Sequence, residues 1–219
     1  INAANTRYIQ VTNNVVKQIK AKDVRRFVRE WSEERCLNEN VRNLIVNSMK
    51  FSETSLENLK EVELDFSNFT HNTQLFFFPN NNVEVTPKEI IVHQRGDTAF
   101  NHYVWEENVL KHNFKPLPDM FKLTCLDKEN NLYDIDVLDC KSSPIFGYVI
   151  NTSRLHWRKE MEERFEDNPE EAKAYAEKHR FCINGEGLTE DEIREQKQNL
   201  ANKIFAIGYM LHRFKSPSR

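Results

Sequence analysis

The sequence predicts a mixed α+β fold in which an antiparallel sheet, at about residues 61–139, is flanked by a helical segment at each end. Within that region, short runs rich in Val, Ile, Phe, Tyr and Trp are separated by Asn, Pro and Gly, which is typical of strands joined by turns. On both sides of it, apolar residues recur at helical spacing. These two patterns place strands in the middle of the chain and helices at its ends.

The chain is expected to fold as a single domain spanning residues 1–219. Its 219 residues, 39% of them hydrophobic, are enough for one core. The expected parts are a hairpin with helices at 1–60, the sheet at 61–140 and a helical tail at 141–219.

The N-terminal segment is predicted to begin with a β-hairpin. Residues 8–19 (YIQVTNNVVKQI) form two short β-rich runs around Asn13 and Asn14, a pair that tolerates left-handed backbone. Asp23 is expected to cap a following helix, and a second helix is expected to begin at residues 38–40. The first helix has an apolar stripe at helical spacing: Val24, Phe27, Val28 and Trp31.

The predicted sheet contains two clear hairpins. QLFFFPNNNVEV is expected to turn at Asn80–Asn82, and FKLTCLDKENNLYDIDVL is expected to turn near Asn130 and Asn131. A further run, VELDF at 62–66, has strand composition. Both hairpins are predicted to be antiparallel.

The C-terminal segment is predicted to be helical. Helices are expected at about 144–151, 153–166 and 169–179, the last capped by Asn168 with Pro at the first helical position. Thr189 and Glu192 form a T-x-x-E capping box that opens a long helix. Its apolar stripe runs through Leu200, Ile204, Ile207, Leu211 and Phe214.

Composition and motifs exclude several classes of function. Neither G-x-x-x-x-G-K nor G-x-G-x-x-G occurs, so this segment is not expected to bind a nucleotide or any other cofactor by itself. No cysteine pair has C-x-x-C spacing, which argues against a zinc knuckle and favours reduced thiols in a cytoplasm. No apolar run reaches about 18 residues, so no membrane partner is expected. The cysteines are Cys36, Cys125, Cys140 and Cys182.

The charge pattern predicts a local contact with DNA phosphates. Residues 1–50 carry 10 Lys and Arg against 5 Asp and Glu, residues 160–196 carry 5 against 13, and residues 197–219 carry 5 against none. Cations on the first helix can line a phosphate backbone, although acidic neighbours such as Glu30 offer the alternative of a solvated, neutralised face. The candidate DNA-contacting residues are Lys17, Lys20, Lys22, Arg25, Arg26, Arg29, Arg213 and Lys215, with Arg219 at the end of the tail.

Asp134 and Asp136 form an alternative candidate site. Residues i and i+2 of a strand point to the same face, so their carboxylates can share one divalent ion. The apolar-apolar-Asp-apolar-Asp pattern resembles the metal-binding motif of archaeo-eukaryotic primases, which implies magnesium or manganese chemistry. The segment 153–156 lacks the spacing of that family's later catalytic His. Ordinary strand alternation, with both aspartates in water, explains the pattern equally.

Two stretches carry a resemblance to a family. Residues 75–86 (LFFFPNNNVEVT) resemble the strand, turn and strand of the domain that precedes the superfamily 3 helicase motor in phage, plasmid and poxvirus primase-helicases. Residues 203–211 (KIFAIGYML) resemble the last helix of that domain, with its Gly-Tyr-x-Leu core. The family favours Asn-Gly at the turn where this chain has three Asn residues.

The resemblance implies a non-catalytic domain of a mobile-element DNA primase-helicase, which positions the motor and contacts DNA. It implies that the ATP- and Mg-binding phosphate loop lies in a motor domain beyond Arg219, so that the apolar helix and basic tail connect the two. The motor of the same polypeptide, DNA and further copies of the chain are then the expected partners. The alternatives are a metal-dependent primase or nuclease using Asp134 and Asp136, and a purely structural protein-interaction module.

Overall fold

The computed structural model describes residues 7–57, 59–165 and 167–215. Contacts group the chain into two compact units. The first unit extends to Phe114, and the second runs from Lys115 to Lys215.

The first unit opens with the predicted hairpin. Strand β1 (Tyr8–Thr12) pairs antiparallel with β2 (Val15–Ile19), so that Thr12 lies opposite Val15. Asn13 and Asn14 have φ values of 49° and 68°, which match the twist of a two-residue hairpin turn. A short strand that follows later in the chain, Val104–Trp105, joins β2 in parallel.

The hairpin leads into the helices of the first unit. Helix α1 (Ala21–Glu34) is followed by α2 (Glu39–Val46) and the short α3 (Glu53–Leu56). The sequence had indicated that Asp23 is the N-cap residue of α1, and the structure shows that it is not. Lys20 occupies that position, and the Asp23 carboxylate accepts its backbone N–H at 3.0 Å from within the first turn. A carboxylate three residues past the N-cap accepts the backbone N–H of the N-cap residue, as in a capping box.

A second sheet of the first unit consists of three antiparallel strands. Its strands β3 (Gln74–Phe77), β4 (Asn81–Val85) and β5 (Ile90–Gln94) lie in that order. The Val104–Trp105 strand, which pairs with β2, comes next in the chain and is called β6. The buried core beside this sheet is formed by Leu75, Phe77, Phe100 and Val104.

The turn between β3 and β4 lies earlier than predicted. Phe78 donates its N–H to the Asn81 carbonyl at 2.9 Å, and Asn82 already lies within β4, opposite Phe77. Pro79 explains the shift, because its fixed φ and missing N–H suit the second position of a tight turn.

The second unit combines one hairpin with helices. Strands β7 (Phe121–Asp127) and β8 (Leu132–Val137) pair antiparallel, and Asn131 has a φ of 52° at the predicted turn. The helices are α4 (Pro144–Ser153), α5 (Pro169–Lys178) and α6 (Glu190–Leu211). Helix α6 packs on β8 and α4. The shared core is formed by Ile135, Phe146, Val149, Ile150, Ile183 and Leu200.

The predicted mixed α+β fold is confirmed, with mostly antiparallel strand pairs. The strands of 61–139 are divided between sheets, however, and Val62–Phe66 makes only an isolated bridge between Asp65 and His102. The helix predicted at 153–166 is interrupted at Arg154 and continues as a π-helical turn, Lys159–Glu163. Helix α6 ends at Leu211, before Phe214.

No helix in the described part of the chain combines the length and hydropathy that a membrane span requires.

Candidate nucleic-acid interface

Helix α1 presents four cations on one face, here called the cationic face: Lys22, Arg25, Arg26 and Arg29. All four residues are exposed. Successive residues of a helix are rotated by about 100°, so positions 22, 25, 26 and 29 fall on the side opposite the stripe that contains Phe27 and Trp31. The helix therefore has its apolar stripe on one side and these four cations on the other, where the exposed Glu33 accompanies them.

The ion pairs within α1 leave these cations accessible. Arg26 lies 3.5 Å from Asp23 and 3.8 Å from Glu30, and its side chain is 69% exposed. Arg25 donates from Nε to the Phe51 carbonyl at 3.3 Å, which orients its guanidinium without neutralising it. Exposed pairs of this kind contribute little, about 0–1 kcal/mol each, so a phosphate can compete for the cations.

The local positive charge acts on the one carboxylate in the first turn of α1. Asp23 accepts the Lys20 backbone N–H, and this hydrogen bond holds the pKa of Asp23 below its ordinary value. The charges of Arg26, Lys22 and Lys20 act in the same direction. Asp23 thus remains an anion at neutral pH, and its role is to stabilise the start of the helix.

Lys17 and Lys20 differ in their availability. Lys20 directly precedes α1 and is exposed, so it extends the cationic face towards the start of the helix. Lys17 lies on β2, and its ammonium group is 2.9 Å from a carboxylate oxygen of Glu106. Because this pair is exposed, it reduces the free charge of Lys17 without burying it.

Arg213 and Lys215 belong to the second unit, where they follow α6. The Lys215 ammonium lies 3.7 Å from the centroid of the Tyr209 ring and donates to the His212 carbonyl at 2.6 Å. A cation in this position stabilises the carbonyl end of a helix. Lys215 thus has a structural role beside the predicted contact with DNA, and Arg219 lies outside the described residues.

Asp134 and Asp136 do lie on one face of β8, as predicted for a shared ion. The cation between them is Lys197 of α6, whose Nζ lies 2.8 Å from Asp134 and 3.6 Å from Asp136. The Lys197 side chain is only 15% exposed. In the described part of the chain, no third His, Cys, Asp or Glu joins the two aspartates in a group suited to a metal. The arrangement joins α6 to β8, while Ile135 between the aspartates is buried.

Sequence reasoning missed a buried polar network in the second unit. Arg154 and Glu160 form an ion pair whose side chains are 3% and 0% exposed. The Tyr175 hydroxyl donates to the same Glu160 oxygen at 2.7 Å, and Arg154 donates to the His179 carbonyl at 3.2 Å. Burial of the Tyr175 hydroxyl, together with its hydrogen bond to Glu160, raises the pKa of Tyr175 to about 12. No sequence signal indicated this network, because residues 153–166 have the pattern of a continuous helix and the π-helical turn that carries Glu160 is visible only in the structure.

The geometry of this network is that of a structural centre. The second oxygen of Glu160 faces Gly185, where any Cβ would lie 2.6 Å from it. Two open surface cavities of the described residues, one beside Tyr133 and Glu195 and one at Gln94–Thr98, are not lined by Arg154 or Glu160. The network joins the π-helical turn, α5 and the loop before α6.

The start of α6 carries a pH-sensitive contact. Glu192 accepts the Thr189 N–H at 2.7 Å and pairs with the Lys159 ammonium at 2.7 Å. The hydrogen bond from Lys159, followed by that from Thr189, lowers the pKa of Glu192 from 4.5 to about 2. A lowered carboxyl pKa means that the ionised form is favoured in the folded state.

We therefore expect Glu192 to contribute stability that is present above pH 4.5 and is lost as the pH falls through about 2. The difference in unfolding free energy between the wild type and Glu192→Gln should be largest at neutral pH and should shrink towards about pH 2. Denaturant unfolding at a series of pH values measures it. Glu190→Gln, an exposed change in the same turn, is the control and should show a smaller, flatter difference. A constant difference for Glu192→Gln across this range would contradict the assignment.

Comparisons with protein-family models, with curated proteins and with solved structures find no match to this chain.

Proposed function

We propose that this chain is a non-catalytic domain of a mobile-element primase-helicase, which contacts DNA phosphates through the cationic face of α1. The observation that carries the proposal is the exposure of Lys22, Arg25, Arg26 and Arg29 on one side of a single helix. Cations in such a row can follow a phosphate backbone without reading its sequence. The contact is local, because the formal net charge of the whole chain is −3.

The context of this contact comes from the resemblance of residues 75–86 and 203–211 to the domain that precedes a superfamily 3 motor. In this proposal, the chain positions the motor of the same polypeptide, and ATP and magnesium bind in that motor. The four free cysteine thiols are in keeping with a reducing cytoplasm.

The test is a DNA-binding titration of the variant Arg25→Glu/Arg26→Glu/Arg29→Glu. At low salt, its affinity for single-stranded and duplex DNA should be at least about tenfold lower than that of the wild type. The dependence of log affinity on log salt should also become shallower, by about 0.9 for each duplex phosphate contact that is lost. Fluorescence anisotropy with labelled oligonucleotides over a salt series measures both quantities.

The matched control reverses the same amount of charge elsewhere. Lys111→Glu/Lys128→Glu/Lys173→Glu changes three exposed lysines that make no ion pair within the described residues. If the contact is local, this control retains most of its affinity and its salt slope. An equal loss in both triple variants would show a non-specific effect of net charge and would contradict the proposal.

The second candidate function is a protein-interaction module. It is favoured by apolar side chains at the end of α6, where Tyr209, Met210 and Leu211 are 64%, 71% and 60% exposed. Such a patch is typical of an interaction surface. If this candidate is correct, the wild type shows no DNA binding at low salt, and the three charge reversals change nothing.

A further inference from the structure

The positive charge of α1 is not spread evenly over its cationic face. Arg26 lies 3.5 Å from Asp23 and 3.8 Å from Glu30, so its charge is partly balanced within the helix. Arg25 and Arg29 are exposed, and neither forms an ion pair with a carboxylate in the described part of the chain. The unbalanced charge therefore lies on the side of α1 that Arg25 and Arg29 share.

On that side, α1 contacts a short 3-10 helix, Met49–Phe51. Arg25 donates from Nε to the Phe51 carbonyl at 3.3 Å. Its Nη1 and Nη2 groups have no hydrogen-bond acceptor among the residues that the structure describes. One nitrogen thus holds the Arg25 side chain in place, while the two terminal nitrogens remain able to bind an anion. The planar guanidinium suits phosphate in particular, because its parallel N–H groups match two phosphate oxygens.

A further cation, Lys50, lies in the same 3-10 helix. It directly precedes Phe51, is exposed, and makes no ion pair within the described ranges. A lysine side chain is long and flexible, so its ammonium group can reach an anion that the Arg25 guanidinium binds. The contact between the two elements therefore adds a third unbalanced cation to Arg25 and Arg29.

These three residues, here called the junction cations, repel one another when no anion is bound. Arg25 and Arg29 are four positions apart on one helix, and like charges at this spacing destabilise a helix. Glu33 of α1 and Glu57, which follows α3, are exposed, but neither pairs with a junction cation in the portion of the chain described. An anion bound between α1 and the 3-10 helix would relieve this repulsion.

We propose that the junction cations form the main phosphate-binding site, which extends the DNA contact of α1 onto the 3-10 helix. This inference rests on the proposed function. It adds Lys50 to the contact and gives Arg26 a mainly structural role through Asp23 and Glu30. The ligand is a phosphate of the DNA backbone, which a held guanidinium and a mobile ammonium bind without reading the bases.

The test compares single charge reversals by fluorescence anisotropy, with a labelled duplex oligonucleotide over a salt series. Lys50→Glu should lower the affinity at low salt at least about threefold, and it should make the dependence of log affinity on log salt shallower by about 0.9. Lys50→Arg keeps the charge and should bind like the wild type. The control, Lys111→Glu, reverses an exposed lysine elsewhere in the first unit and should change the affinity less than about twofold.

A second comparison uses two neighbouring arginines of α1. Arg25→Glu should weaken binding more than Arg26→Glu, because the charge of Arg26 is already partly balanced. Circular dichroism should show native secondary structure in all variants. An effect of Arg26→Glu as large as that of Arg25→Glu would contradict the inference.

The proposed function and this extension of it can fail separately. If Lys50→Glu binds like the wild type while Arg25→Glu/Arg26→Glu/Arg29→Glu loses affinity, the extension onto the 3-10 helix is wrong and the DNA contact of α1 stands. If the triple variant also binds like the wild type, both are wrong.

Discussion

Replacing Glu160 with alanine is expected to lower the unfolding free energy of the second unit by about 3–5 kcal/mol. The Arg154 side chain is 3% exposed, so the substitution leaves a guanidinium buried without its counter-charge. Tyr175, which donates to the same carboxylate at 2.7 Å, also loses its acceptor. Removing one partner of a buried pair is more damaging than removing both, because the remaining charge has neither water nor a partner.

The measurement requires a signal from the second unit alone. Trp157 provides it, since the Arg154 guanidinium lies 4.2 Å from the centroid of its ring. With Trp31 and Trp105 replaced by phenylalanine, denaturant unfolding followed by tryptophan fluorescence reports on this region.

Two further variants separate the buried charge from other effects. The double change Arg154→Met/Glu160→Leu should recover a large part of the loss, because no charge is then left unpaired. Asp191→Asn breaks the exposed ion pair with Arg194, in which the Asp191 side chain is 88% and the Arg194 side chain 61% exposed. It should change the unfolding free energy by about 0.5 kcal/mol or less. Equal effects of Glu160→Ala and Asp191→Asn would show that the Arg154–Glu160 pair is not buried in solution.

The parts of the fold that local chemistry determines could be predicted from the sequence. Asn13 and Asn14 adopt the left-handed backbone of the predicted turn, and the capping groups of Asn168 and Thr189 start α5 and α6 where expected. These features depend on residues within one turn of each other, so the sequence contains all of their determinants.

The parts that depend on distant contacts could not be predicted. Val104–Trp105 pairs in parallel with β2, although Val104 lies 90 positions after Asn14, whose carbonyl accepts its N–H. The same limit applied to the candidate sites. The cationic face follows from helical spacing alone, whereas the cation beside Asp134 and Asp136 is Lys197, 63 positions after Asp134. No local pattern identifies such a partner.

Two leucines of α6 show that the spacing of apolar residues does not predict how deeply each of them is buried. Leu200 and Leu211 belong to the same predicted apolar stripe, yet Leu200 is fully buried and Leu211 is 60% exposed. Spacing determines which side of a helix is apolar, but the neighbouring elements determine how far along the helix that side is covered. Leu200 contacts the core formed by β8 and α4, and the end of α6 extends past it.

We therefore expect Leu200→Ala to lower the unfolding free energy of the second unit by about 2–5 kcal/mol, since it leaves a cavity in a closely packed core. Leu211→Ala should change it by about 0.5 kcal/mol or less, because an exposed side chain loses few contacts. The tryptophan signal of Trp157 measures both variants under identical conditions. Comparable losses at the two positions would mean that the end of α6 is covered in solution, and the protein-interaction candidate would then gain support over DNA contact.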